Sequence, residues 1–221
     1  MKLVIITGLA PYSDPAGIFP AAAVEWVQLK EIGQLSDHPD ADGYIDLDLT
    51  TGPTGIDTRR VEILSRMLPA PVLVHAMIPT LSEIDRPFIR INAWPGCLER
   101  EVHELVVPKG DMVQRITTLY SQLGKSYRLA PDIPGMISGR ILAALVNEAY
   151  HTLGAGVSTR SAIDTAMKLG TNYPWGPFEW SERIGLKNIA GLLEVLGRTD
   201  PRYEPAKALR DALEMRASNA S

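Results

Sequence analysis

The chain has 221 residues, 45% of them apolar, and a net charge of −4. It can build a substantial core, and it lacks the basic excess with which proteins hold nucleic acid or an anionic membrane surface. Its single cysteine, Cys97, excludes an internal disulfide framework, and with no Cys/His spacing around it a structural zinc site is excluded as well.

The apolar run at residues 3–10 is interrupted by Thr7 and Gly8. It is too short to cross a membrane and poor as a secretory signal, so it reads as a buried first strand and the protein as cytoplasmic. Residues 20–35 predict a helix, with Ala23, Val24, Val27, Leu29 and Ile32 as its apolar face. After a polar turn, residues 44–49 alternate at period two, which puts Ile45, Leu47 and Leu49 on one face of a strand. Asp57 is placed to cap a helix through Val61, Ile63, Leu64 and Leu68 that Pro69 and Pro71 stop. Residues 72–74, 88–91 and 102–107 read as three further strands. Asp111 with Gln114 resembles a capping box for a helix on Val113, Ile116, Leu119 and Leu123 that ends at Gly124.

After Leu129 the strand signals stop. Ile137, Ile141, Leu145 and Ala149 recur at helical spacing, widened by Leu142 and Val146. Ser158 is a candidate cap for a helix over 162–169 that ends at Gly170. Pro177 sits where a new helix takes proline in its first turn, with Glu179 near the positive end of its dipole. Residues 186–196 and 205–216 predict two more helices, and 217–221 a disordered tail. Alternating strands and helices followed by helices alone imply an α/β domain over 1–128 and an all-α domain over 129–221, joined near 126–132.

Two stretches carry a resemblance: DIPGMISGRILAALVNEAYHTLGAG at 132–156 and DTAMKLGTNYPWGPFEWSERIGL at 164–186. They are similar to the C-terminal helical domain of the 3-hydroxyacyl-CoA dehydrogenase family. The resemblance is dense from 123 to 186, thinner from 41 to 109 and close to absent before residue 40. It implies a Rossmann-like dinucleotide-binding sheet with extra antiparallel strands near its end. A helical domain that closes the active cleft and pairs two subunits would follow.

The carried-over positions depart from the family pattern. A Gly-x-Gly-x-x-Gly turn offers backbone N–H groups to a pyrophosphate, whereas residues 8–14 hold one glycine and Pro11, which has no N–H. Asp46 and Asp48 are candidate ribose acids but read as facing solvent or capping the sheet. Thr50 and Thr51 stand where the family has a glutamate beside the nicotinamide. The family's general-base His falls on Asn92 and its orienting Glu, twelve residues later, on Glu104. Its substrate-binding Asn falls on Gly139, and Ser138 lies about 100° away around the helix. His75, after a strand end, is a candidate displaced base. His103 neighbours Glu104 but faces the other side of the strand. Cys97 reads as a packed thiol, and Tyr173, Trp175, Phe178 and Trp180 as helix packing or a subunit interface.

The expectation is therefore a degenerate Rossmann-like sheet followed by a helical 3-hydroxyacyl-CoA dehydrogenase-like domain. The protein would be a homodimer without a cofactor that binds an acyl-CoA, a related acidic metabolite or a partner protein, with Trp94 and Met77 filling the old nicotinamide site. The alternative is a divergent NAD(P)-dependent dehydrogenase with a site rebuilt on Glu104 or His75. A third reading is a cofactor-free isomerase or lyase with Glu104 as base.

Overall fold

The computed structural model describes residues 1–7, 18–19 and 24–218. The chain divides into two compact units, Met1–Met136 and Ile137–Ser221. The first is a seven-stranded sheet with helices and the second is helical throughout. No helix among the described residues is long and apolar enough to cross a membrane.

The sheet is built from β1 (Lys2–Ile6), β2 (Glu25–Leu29), β3 (Gly43–Asp46), β6 (Val72–His75), β7 (Ile89–Ile91), β8 (Val102–Val106) and β9 (Ser126–Leu129). A separate two-stranded ribbon pairs β4 (Thr50–Thr51) with β5 (Gly55–Ile56). The order in the large sheet is β2-β1-β3-β6-β7-β8-β9. The first five of these run parallel, β8 is antiparallel to β7, and β9 is parallel to β8. The continuous apolar run of β1 suits a strand covered on both faces. Leu3 and Ile5 join one core with Ile45, Leu73 and Ile89, closed by helix α3 (Met112–Gln122) through Ile116 and Leu119. Val4 and Ile6 join the other with Val72 and Val74, closed by α1 (Thr58–Ser65) through Val61 and Leu64. Each such side chain contributes about 2 kcal/mol by leaving water. Asp57 caps α1 as expected, its Oδ1 accepting the Arg60 N–H at 3.1 Å. The short α2 (Leu81–Ile84) starts with a Thr80/Glu83 capping box.

Several local expectations are corrected. Residues 25–29 form a strand, because the edge of β1 offers backbone partners that an apolar helical stripe cannot outweigh. Residues 44–49 do not keep one strand face: the chain turns after Asp46, whose Oδ1 takes the Asp48 N–H at 2.9 Å, and Leu49 reaches the opposite core from Ile45 and Leu47. Asp111 makes no capping bond to α3; its carboxylate meets Arg115 instead at 3.0 Å. Where the sequence suggested a junction, Ser126–Leu129 is a strand of the sheet, and the first compact unit runs to Met136.

The helical unit comprises α4 (Ser138–Gly154), α5 (Arg160–Thr171), α6 (Pro177–Ile184), α7 (Leu186–Gly197) and α8 (Lys207–Ser218). Thr159, not Ser158, caps α5 through its hydroxyl to the Ala162 N–H at 3.3 Å. Residues 217 and 218 continue α8 rather than a loose tail; 219–221 lie outside the described residues. Pro177 and Glu179 act at the start of α6 as expected, Glu179 Oε2 accepting the Gly176 N–H at 3.0 Å. Buried Asp164 adds a second acceptor there, taking the Phe178 N–H at 2.8 Å, and a Cβ on Gly176 would collide with it. Phe178 and Trp180 are buried inside this unit, Phe178 edge-on to Tyr150 and Trp180 to Trp175.

Buried Asn147 ties α4 to the approach of α8, donating to Glu204 O at 2.9 Å and accepting the Ala206 N–H at 2.8 Å. Asn147→Ala should cost about 2 kcal/mol, because two backbone groups lose their partners. Urea unfolding of the variant checks this, and an unchanged midpoint would show the clamp to be dispensable.

Candidate functional site

Because β1, β3, β6 and β7 run parallel, their carboxyl ends lie along one edge of the sheet. The chain leaves β1 toward β2 on one side and β3 lies on the other, so a topological switch point falls between β1 and β3, where open α/β sheets bind ligands. Thr7, Asp46, Asp48, His75 and Asn92 come to this edge. The turn at 8–14 lies outside the described residues.

Asp46 and Asp48 do not face solvent. Both are buried, and Asp46 holds Arg60 with two bonds, Nε–Oδ2 at 2.9 Å and Nη2–Oδ1 at 2.6 Å. Asp48 Oδ2 lies 3.8 Å from the same guanidinium. Burial works against the Arg60 charge, but the bond to Asp46 and the nearby carboxylates outweigh it and raise its pKa. The strand on the other side of β1 is β2, which is followed by the exposed Lys30 and Glu31. A ribose carboxylate belongs at that end in a dinucleotide-binding sheet, so Glu31 fits the role by position where Asp46 does not.

His75 ends β6, partly buried. Its Nδ1 accepts the Ala93 N–H at 3.1 Å. A nitrogen taking that proton carries none itself, so the neutral ring holds its hydrogen on Nε2, although Ile91 O also lies 3.3 Å from Nδ1. Burial pushes the His75 pKa down to about 4, and the Arg90 charge acts in the same direction. The imidazole is thus a neutral donor near pH 7 rather than a ready base.

Asn92 is buried, and its Oδ1 accepts the Trp94 N–H at 3.0 Å, an Asx turn. The β7/β8 register pairs Arg90 with Val106 and Ile91 with Leu105. One further step sets Asn92 opposite half-buried Glu104, which gives their twelve-residue spacing a geometric cause. His75 pairs with Ile91 across β6/β7, so it shares a sheet face with Ile91 and Leu105, opposite to Asn92 and Glu104. Glu104 and His75 are therefore not brought together. Gly139, buried in the first turn of α4, presents no side chain, and Ser138 opens that helix. His103 points away from Glu104 into the core, between Leu98 O at 2.9 Å and the Tyr120 hydroxyl at 3.0 Å. The Cys97 thiol is buried and pushed up to about 11 by that burial, which makes it inert. Trp94 and Met77 are both buried.

Two charged groups were passed over in the sequence, Arg60 and Arg90. Arg90 is fully buried in β7; its guanidinium donates to Ala76 O, Met77 O and Asp132 Oδ1 at 3.0, 3.1 and 2.6 Å. A cation in the middle of an apolar strand was the available signal. Among the described residues no group of three or more His, Cys, Asp or Glu side chains is placed to hold a metal.

Arg60→Met should cost about 3 kcal/mol or more, since it strands Asp46 as an unpaired buried carboxylate. Thermal unfolding checks this, and an unshifted midpoint would show Asp46 to have other support. Burial lowers the pKa of both His75 and His103 in the folded state. The unfolded chain therefore binds more protons below the ordinary value of about 6.5. Stability from these groups is complete above that pH and is lost as pH falls toward the His75 value of about 4. Urea midpoints measured downward from pH 8 to about 5 should drop, and the double variant His75→Gln/His103→Gln should flatten the drop.

Residues 135–220 match the family described as the 3-hydroxyacyl-CoA dehydrogenase C-terminal domain. The chain is 37% identical over 127 residues to the 3-hydroxyadipyl-CoA dehydrogenase of Escherichia coli K12, covering 57% of this chain and 26% of that protein. It is 42% identical over 91 residues to the 3-hydroxybutyryl-CoA dehydrogenase of Bradyrhizobium diazoefficiens, covering 40% of this chain and 31% of that one. The chain thus spans roughly a quarter to a third of the length of these relatives. The solved (S)-3-hydroxybutyryl-CoA dehydrogenase of Ralstonia eutropha has the same fold over 97% of this chain and 93% of its own, with a TM-score of 0.72 at 22% identity. Residues 135–220 thus resemble the C-terminal domain of the 3-hydroxyacyl-CoA dehydrogenases, and the Rossmann-like parallel sheet before them shares its fold with a solved protein of that kind.

Proposed function

We propose that the protein is an NAD(P)-dependent oxidoreductase of the 3-hydroxyacyl-CoA dehydrogenase type, acting on short 3-hydroxyacyl-CoA esters at the carboxyl edge of its sheet. The observation that carries this reading is the family's own helical domain joined to a sheet whose strand order leaves a switch point at β1/β3. The relatives named above are called dehydrogenases of 3-hydroxyadipyl-CoA and 3-hydroxybutyryl-CoA.

One described residue supports the adenosine end of a dinucleotide: Glu31, exposed just past β2, is a carboxylate where such sheets hold a ribose. When bound, the nicotinamide supplies the hydride acceptor or donor. Glu104 then carries the proton at the substrate oxygen, being the ionisable member of the Asn92/Glu104 pair. Asn92 cannot accept a proton at neutral pH. The helical unit pairs two copies through exposed apolar side chains such as Leu169 at 83% and Ile141 at 57% exposure. A second reading, binding of an acyl-CoA without hydride chemistry, is favoured by one observation: Asn92 stands at the family's base position and is already committed to its own turn.

Oxidation of NADH in the presence of acetoacetyl-CoA, followed by absorbance, separates the two. The dehydrogenase reading expects turnover that requires both components and falls by roughly 10²-fold or more in Glu104→Gln. No turnover in either direction, with acetoacetyl-CoA still bound, would establish the second reading instead. Sedimentation velocity should give twice the monomer mass of 24.2 kDa; a monomer would remove the dimer.

A further inference from the structure

At the sheet edge, the side chain at the family's base position and the imidazole on the neighbouring strand are connected through backbone. Asn92 Oδ1 takes the Trp94 N–H at 3.0 Å and so turns the chain immediately after β7. That turn holds Ala93 with its N–H toward β6, where it meets His75 Nδ1 at 3.1 Å. The β6/β7 register, which pairs His75 with Ile91, sets the ring within reach of Ala93. Nδ1 is consumed as an acceptor, and Nε2 carries the hydrogen. Among the described residues that Nε2–H makes no hydrogen bond, and His75 is only partly buried, at the carboxyl end of a parallel strand. A neutral imidazole N–H with its tautomer fixed from behind is suited to an acceptor-only oxygen. It cannot take a proton from a hydroxyl through Nδ1, and a carboxylate would find no full positive charge there.

We infer that the His75 Nε2–H is the donor for a ligand carbonyl oxygen at this edge, and that Asn92 is a positioning residue that fixes the His75 tautomer through the Ala93 N–H. This rests on the dehydrogenase reading for its ligands. The shared chemistry is a neutral sp² oxygen, supplied either by the carbonyls of an acyl-CoA or by the carboxamide of a nicotinamide. In this arrangement Asn92 acts through the backbone, orienting an imidazole on the neighbouring strand and on the opposite face of the sheet. The depressed His75 pKa agrees with the geometry, since a donor of this kind is useful only while it stays neutral.

The test is long-range proton–nitrogen correlation NMR on the full chain labelled with ¹⁵N, the His75 ring being assigned by its absence in His75→Gln. The expected signature is the Nε2–H tautomer at neutral pH. The Nε2 signal should move on adding either NADH or acetoacetyl-CoA in separate arms, which names the oxygen's source. Asn92→Ala should mix the tautomers, whereas Asn92→Asp, which retains the turn-forming oxygen, should restore one. His75→Ala should weaken the same ligand about tenfold, and His75→Gln, with an amide N–H, within roughly threefold of the parent. An Nδ1–H or doubly protonated ring at neutral pH would overturn the inference. Binding of both ligands with the His75 signals unmoved would overturn it alone and leave the dehydrogenase reading standing. Failure of both ligands to bind, with the Nε2–H tautomer present, would bring down the dehydrogenase reading and the ligand assignment together.

Discussion

Arg90 carries a full positive charge into the middle of β7, where no solvent reaches it. Moving such a cation out of water costs several kcal/mol unless its N–H groups find acceptors in place. Here Nε donates to Ala76 O, Nη2 to Met77 O and Nη1 to Asp132 Oδ1. Asp132 in turn accepts the Leu81 N–H at 3.0 Å, and the Gly135 N–H joins Met77 O at 2.6 Å. One guanidinium thereby fixes the chain as it leaves β6, the start of α2, and residues 132–135 at the end of the sheet unit. His75 is the last residue of β6, directly before that anchored segment, so its place at the sheet edge follows from how Arg90 is satisfied. The same charge also helps to hold the imidazole neutral.

Parts of the fold that rest on local chemistry were legible in the sequence. Asp57 before α1, and Pro177 with Glu179 at α6, declare helix starts because capping acts over three or four residues. The continuous apolar run of β1 declares a strand buried on both faces. What failed was decided at a distance. The apolar spacing of 24–32 fits a helix, but β1 needed a neighbour and residues 25–29 supplied one. Ser126–Leu129 has little strand character of its own and is a strand only because β8 lies beside it. Asp46 and Asp48 read as surface acids because Arg60, their partner, belongs to a helix beyond an intervening ribbon.

The site was legible in a more particular way. Asn92 and Glu104 are the next positions beyond the last paired residues of β7 and β8, Ile91 and Leu105, so their spacing follows the antiparallel register. The side of the sheet to which His75 belongs is not visible in sequence, because it depends on the β6/β7 alignment. Nor does the sequence reveal its tautomer, which a single backbone N–H decides. Departures from a family pattern at Asn92 and Gly139 are easily taken as loss of chemistry. In the structure Glu104 lies on one face of the sheet and His75 on the other, and Glu31 follows β2.

Calorimetric titration of NADH into the full chain tests the dehydrogenase reading most directly, because it asks for the cofactor alone, before any question of substrate or turnover. Saturable binding in the micromolar range, one site per chain, is the expected result, with weakening in Glu31→Ala that identifies the carboxylate past β2 as the ribose partner. Absence of binding heat across a range of temperatures, with acetoacetyl-CoA present or absent, would contradict it and leave a family scaffold that binds without hydride chemistry.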